Sequence, residues 1–211
     1  MTSILESLFT RYPSLRDLEQ PILAGYGIIR QALEKRRTLF LCGNGGSAAD
    51  AEHMAGELLK GFLLPRHADR IFRKKLEEQY GNKGLMLAEG LQEGFKTITL
   101  NSHPSFATAF GNDVNFETIF AQQLYVLGEE GDVLIGFTTS GNSENVLNAF
   151  RVAGAAGIST IALTGQSGGK SADIADCCIR VPETETYKVQ ELHLPVYHAL
   201  CAMLEDDFYG G

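Results

Sequence analysis

An α/β fold is the expectation, and two features of the chain lead to it. Five short segments are predominantly apolar: "TLFLC" at 38–42, "TITL" at 97–100, "VLIGF" at 133–137, "TIALT" at 160–164 and "CCIRV" at 177–181. Segments of helical spacing lie between them, at 47–60, 104–111, 116–127, 143–156 and 170–175, and a last long helix fits 188–207. Strands without a polar face that alternate with helices belong in a parallel sheet covered on both sides. The predicted architecture is therefore a three-layer αβα sandwich with about five parallel strands and helical extensions at both ends.

The elements follow in order. Residues 1–36 read as helical, with Leu5, Leu8, Phe9, Ile22, Ile28, Ile29 and Leu33 near helical spacing and a break at Pro13. No domain boundary interrupts the chain, so 1–211 is read as one domain. The segment 61–96 stands apart. It is charged and poorly periodic, and fits an insertion carrying a helix or a mobile lid. Its basic cluster Arg70, Arg73, Lys74 and Lys75 reads as a solvated helix face.

Composition narrows the function. Apolar residues make up 44% of 211 and charged residues 21%, ordinary for a globular domain. A net charge of −8 leaves no wide basic stripe for nucleic acid. The N-terminus has no apolar signal core and no run reaches membrane-spanning length, so a soluble cytoplasmic protein without a membrane partner is expected. Cys42, Cys177, Cys178 and Cys201 form no CxxC pair and read as buried, reduced thiols.

Three predicted strands end in small-residue turns that open helices: "LFLCGNGGSAAD", "VLIGFTTSGNSENV" and "TIALTGQSGGKSAD". Open parallel sheets bind ligands at the carboxyl ends of their strands, and helix starts favour anions. "TGQSGGKS" imitates a nucleotide P-loop, but Thr164 stands where its first glycine belongs. "GNGGSAA" lacks the third glycine of a dinucleotide fingerprint. What remains is a ligand approached closely by Asn44, Gly45, Gly46 and Ser47, together with the hydroxyls of Thr138, Thr139, Ser140 and Ser143. Helix capping by Ser140 or Asn142 explains one such residue, whereas a phosphate monoester, rich in acceptor oxygens, explains them all.

His53 and Glu57 share one helical face at i, i+4 on the helix that follows "GNGGS". Gln190, Glu191, His193 and His198 sit in the last helical region. Gln190 and His198 are eight residues apart, a rise of about 12 Å in a regular helix, which is long for two ligands of one ion. Because Pro195 prefers a first helical turn, Gln190 is expected in a less regular segment that bends toward the site.

Assembled, "CGNGGSAADAEHMAGEL", "AFGND", "TTSGNSENV", "ALTGQSGGK" and "VQELHLPVYH" resemble, in order, the sugar isomerase (SIS) domain proteins, and more narrowly the phosphoheptose isomerase family. The resemblance covers most of 37–206. It implies a five-stranded SIS, flavodoxin-like fold in a homotetramer with sites near subunit interfaces. It implies sugar-phosphate binding by Asn44, Gly45, Gly46, Ser47, Glu57, Asn112, Asp113, Thr138, Thr139, Ser140, Ser143 and Gln190. It also implies one zinc per subunit at His53, Glu57, Gln190 and His198, and the interconversion of sedoheptulose 7-phosphate and D-glycero-D-manno-heptose 7-phosphate. Three features depart from the family: Thr138 replaces a usual serine, "KGF" replaces a "GR" after the Glu57 helix, and 61–96 is longer.

Aldose–ketose isomerisation through an enediol needs a base at carbon, an acid for the carbonyl oxygen and stabilisation of the oxyanion. Glu57 is the expected carbon base and His198 the group serving the oxygens, with the reverse assignment open from sequence. Zinc would polarise the carbonyl and diol oxygens as a Lewis acid. Two other readings accompany this one. One is a non-catalytic SIS protein that binds a replication initiator, which the presence of both Glu57 and His198 disfavours. The other is an isomerase or sensor for a different sugar phosphate.

Overall fold

The structure, a computed structural model, describes residues 2–210. Its sheet is parallel throughout, with β1 (Leu39–Gly43), β2 (Thr97–Thr99), β3 (Val133–Phe137), β4 (Ser159–Thr164) and β5 (Cys177–Arg180) in the order β2-β1-β3-β4-β5. Side chains alternate between the two faces. Leu39, Leu41, Ile135, Phe137, Ile161 and Leu163 enter one core; Phe40, Cys42, Leu134 and Ala162 enter the other. That division is why the central strands β1 and β3 carry no polar face.

The first core is closed by α1 (Thr2–Arg11), α2 (Glu19–Glu34), α3 (Gly46–Leu59) and α10 (Thr186–Tyr209). The second is closed by α7 (Ile119–Leu127) and α8 (Glu144–Ala155). A 3-10 turn at Pro13–Leu18 makes the break expected at Pro13. Cys42, Cys177 and Cys201 are buried, Cys178 is half-buried, and all four are free thiols. Burial pushes Cys42 up to about 12 and Cys177 to about 11, which disfavours the thiolate.

Two expectations need correcting. The segment 61–96 holds two helices rather than one, α4 (Arg70–Tyr80) and α5 (Asn82–Gly90), packed on each other as a hairpin. Asp69 caps α4 by accepting from the N–H groups of Ile71 and Phe72. The second correction concerns α10, which runs unbroken through Pro195 and holds Gln190 in regular helix. Pro195 forfeits one backbone hydrogen bond, and the packing of α10 along α1, α2 and α3 offsets the loss.

The root of the hairpin is tied to α10. Glu205 accepts from the N–H groups of Phe62, Leu63 and Leu64 and from Arg66 Nε at 2.8 Å, with both charged side chains buried. The Arg66 guanidinium also lies 4.9 Å from the Phe95 ring centre and 4.8 Å from that of Tyr209. The Glu205 carboxylate is thus fully supplied with donors, while one Arg66 nitrogen is buried without a hydrogen-bond partner.

Candidate active site

The chain passes from β1 to β2 on one side and then crosses back to β3 on the other side of β1. This switch point is where an open α/β sheet offers a crevice. Gly43 and Phe137, the last residues of β1 and β3, are register partners. Their following loops therefore start at the same height and meet over the sheet edge. Asn44 and Asn145 lock them together through two reciprocal amide bonds of 2.8 and 2.9 Å.

Between these loops and the start of α10 lies a cleft of about 290 Å³, lined by Asn44, Gly45, Gly46, Ser47, Thr138, Thr139, Ser143 and Gln190, with Phe137 and Thr186. Gly45, at the start of α3, has no side chain to cap it, and Ser143, at the start of α8, makes no side-chain cap bond. Simple capping thus does not account for the Ser143 hydroxyl, which accepts instead from Thr138 Oγ1 at 3.1 Å. Ser140 is drawn into its own turn, its Oγ accepting from Asn142 N. The cleft offers neutral donors and two helix starts, a setting suited to an anion.

Two glycines shape these loops. A Cβ on Gly46 would come within 2.6 Å of both amide atoms of Gln190 and would push that side chain aside. Gly141 has φ +68, and its Cβ would meet the Gly168 carbonyl oxygen at 1.9 Å. Here the β4 loop that imitates a P-loop shows its role. Lys170 N donates to Asn142 Oδ1, and Ser171 donates to the Gly141 carbonyl through both N and Oγ. It buttresses the β3 loop from behind.

A second cluster lies further along α3. His53 and Glu57 face Tyr197 and His198 of α10: His53 Nδ1 is 2.9 Å from Tyr197 Oη, and His53 Nε2 is 3.3 Å from Glu57 Oε1. The His53 and His198 rings meet edge to face, 4.9 Å between centres, and Phe62 lies against His198 at 5.4 Å. Lys60 Nζ holds the other Glu57 oxygen at 3.1 Å. Burial, and then the neighbouring His53, hold the His198 pKa below the usual imidazole value. Asp50, on the same face of α3, is pushed up to about 6 by burial, against the Tyr197 hydroxyl and His53, which lower it. His198 lines a separate cleft of about 500 Å³, whose other walls include Arg11, Tyr12 and Phe62.

The residues named from sequence thus fall into three places. Gln190 belongs with the loops of the switch-point cleft, while His53, Glu57 and His198 form the second cluster. Asn112 and Asp113 lie on the exposed turn after α6 (Pro104–Phe110), bonded to each other at 3.0 Å and outside the switch-point cleft. Sequence reasoning missed Asn145, Tyr197, Asp50 and Phe62. Asp50 carried a signal, three residues before His53 and so on its face; Tyr197 read as an ordinary core aromatic.

His53, Glu57 and His198 carry donor atoms of the kind that zinc accepts. The 3.3 Å between His53 Nε2 and Glu57 Oε1 suits two ligands at about 2 Å from one tetrahedral ion, and His198 Nε2 is buried without a hydrogen-bond partner. Even so, among the described residues no three His, Cys, Asp or Glu side chains are gathered for an ion. Gln190 and His198 stand about 12 Å apart along one regular helix. In this chain Gln190 lies with the switch-point cleft, apart from the cluster that holds His53, Glu57 and His198.

The SIS domain family matches residues 84–165. The phosphoheptose isomerase of Rhodospirillum rubrum is 38% identical over 91% of this chain and 88% of its own length. The structure of phosphoheptose isomerase GmhA from Neisseria gonorrhoeae superposes with a TM-score of 0.74 at 31% identity, covering 97% of this chain and 96% of that one. A phosphoheptose isomerase from Francisella tularensis superposes with a TM-score of 0.76 at 30% identity, with the same coverage. By this identity across nearly its whole length, the chain belongs to the phosphoheptose isomerase family of SIS-domain enzymes.

Proposed function

We propose that this isomerase interconverts sedoheptulose 7-phosphate and D-glycero-D-manno-heptose 7-phosphate in the cytoplasm. The observation that carries the reading is the course of α3. It starts in a cleft of neutral donors suited to a phosphate and carries His53 and Glu57 on one face to meet His198. The phosphate rests on the loops after β1 and β3. Glu57, held by Lys60 and His53, takes the proton from the carbon beside the carbonyl. His198, kept neutral by burial, exchanges protons between the two substrate oxygens as the enediol forms and collapses. No redox cofactor is needed, and no step here runs through a metal.

Homotetramer formation with shared sites belongs to the same proposal. The distance along α10 between Gln190 and His198 supports a site that draws them from two copies. A zinc ion, one per subunit, belongs to the proposal on the same condition, with His53, Glu57 and His198 supplying donor atoms of the kind zinc accepts.

The test incubates the protein with sedoheptulose 7-phosphate, with added zinc or with a chelator, and follows aldose formation. Turnover is expected in the wild type and is expected to fall by about 10²–10⁴ in Glu57→Gln and His198→Asn. Turnover unchanged in Glu57→Gln would remove the proposed base. Equal rates with zinc and chelator would remove the metal.

A further inference from the structure

The α4–α5 hairpin is held by its own contacts and by its root, where Ala68 N donates to Leu91 O and Glu93 N to Arg66 O. Beyond the root, it packs to no substantial extent on any other element of the chain. No residue of α4 is buried. Ile71, Phe72 and Tyr80 on α4 and Met86 and Leu87 on α5 are between 48% and 72% exposed. Short helices draw most of their stability from packing apolar side chains, so these exposed residues lack the cover that such helices need.

Its charge points to what covers it. Residues 70–90 carry five Lys or Arg against three Glu, a net of +2 in a chain of net −8. The opposite composition occupies 97–150, which contains six Asp or Glu and no Lys or Arg. Within that stretch, the turn into α7 and the last turn of α7 expose a second apolar set: Val114, Phe116, Tyr125, Val126 and Leu127, each 44% to 75% exposed. Glu117 and Glu130 border it in sequence and are not buried. The hairpin makes no substantial contact with this face in its own chain.

We propose that the α4–α5 hairpin is an assembly arm, which docks on the Val114–Leu127 face of a second copy of this chain. The inference rests on the homo-oligomer reading above and adds the surface that makes it. Apolar side chains supply the buried contact, and Arg70, Arg73 and Lys75 against Glu117 and Glu130 set orientation and partner choice. Two copies related by a two-fold axis can exchange arms reciprocally, so that both apolar sets are covered at once and the contact closes.

A charge swap tests the pairing, read by sedimentation velocity on the full chain at low salt, with far-UV circular dichroism to check folding. The arm variant is Arg73→Glu with Lys75→Glu, and the face variant is Glu117→Lys with Glu130→Lys. Each alone places like charges across the contact, and its self-association is expected to weaken by at least about tenfold. In a one-to-one mixture every arm meets a face of opposite sign, and assembly of wild-type mass is expected to return. A wild type that sediments as single copies overturns both the oligomer reading and this one. Variants that keep the wild-type mass, or a mixture that does not recover it, overturn the arm assignment and leave the oligomer reading standing.

Discussion

Helices α3 and α4 follow one another in the same crossover from β1 to β2, yet they are fixed by opposite means. The first buries Ser47, Ala51, Met54, Ala55 and Leu58, a stripe that sets its rotation against the sheet. Its other face, with Asp50, His53 and Glu57, is then aimed at α10 without further choice. The second buries nothing in its own chain, and only its root is anchored, through Arg66 and Glu205. A core-packed helix is a platform precise enough for acid–base chemistry, whereas a helix outside the core is free to serve recognition.

Truncation on each helix breaks or sharpens that contrast most directly. Met54→Ala empties a fully buried site beneath the face that carries His53 and Glu57 and is expected to cost about 3 kcal/mol in urea unfolding. Its cost does not depend on protein concentration. Ile71→Ala on the arm is expected to cost under about 0.5 kcal/mol in dissociated protein. A larger effect should emerge only at concentrations where copies associate. A comparable loss from both substitutions in dilute protein would mean that the arm packs on its own chain.

Acid provides the next measurement, because the platform contains a buried imidazole and the arm does not. His193 on α10 is fully buried, its ring 6.0 Å from that of Phe137, and burial pulls its pKa down to about 4. In the unfolded chain it titrates near 6.5. Above that value it is neutral in both states and its burial carries no charge penalty. As pH falls toward 4, the unfolded chain binds the proton first, and stability is lost until the folded protein also takes it up. The loss between pH 7 and pH 4.5 is expected to shrink by about 2 kcal/mol in His193→Gln. Identical pH slopes in the two proteins would show that His193 is not the group titrating.

The same contrast explains what could be read from the sequence. The strands and the switch-point loops were legible because burial on both faces leaves unbroken apolar runs such as "VLIGF", each ending abruptly in polar turn residues. His53 and Glu57 were legible as an i, i+4 pair. The hairpin was not, because Ile71 and Phe72 are interleaved with Arg70, Arg73, Lys74 and Lys75, and a helix that buries no residue in its own chain leaves no pattern pointing to a core. The regularity of α10 was also hidden. Proline propensity favours a break near Pro195, and only the packing of that helix on three others overrides it.

Asn145 was invisible for a different reason: its role comes from strand register, which brings Asn44 beside it across 101 residues of chain. Asn145→Ala removes both amide bonds and leaves the Asn44 amide without either of them at the cleft edge, an expected loss of about 1 kcal/mol of stability. Nothing is taken from Glu57 or His198. The kinetic signature should therefore be a KM several-fold higher with kcat little changed, as for a lost binding contact rather than a lost catalytic group. Asn145→Asp sharpens the test. It keeps an acceptor for Asn44 Nδ2 but sets a negative charge beside the anion cleft, so its KM should rise beyond that of the alanine variant. Should the aspartate variant bind substrate as well as the wild type, the phosphate does not sit between these two loops.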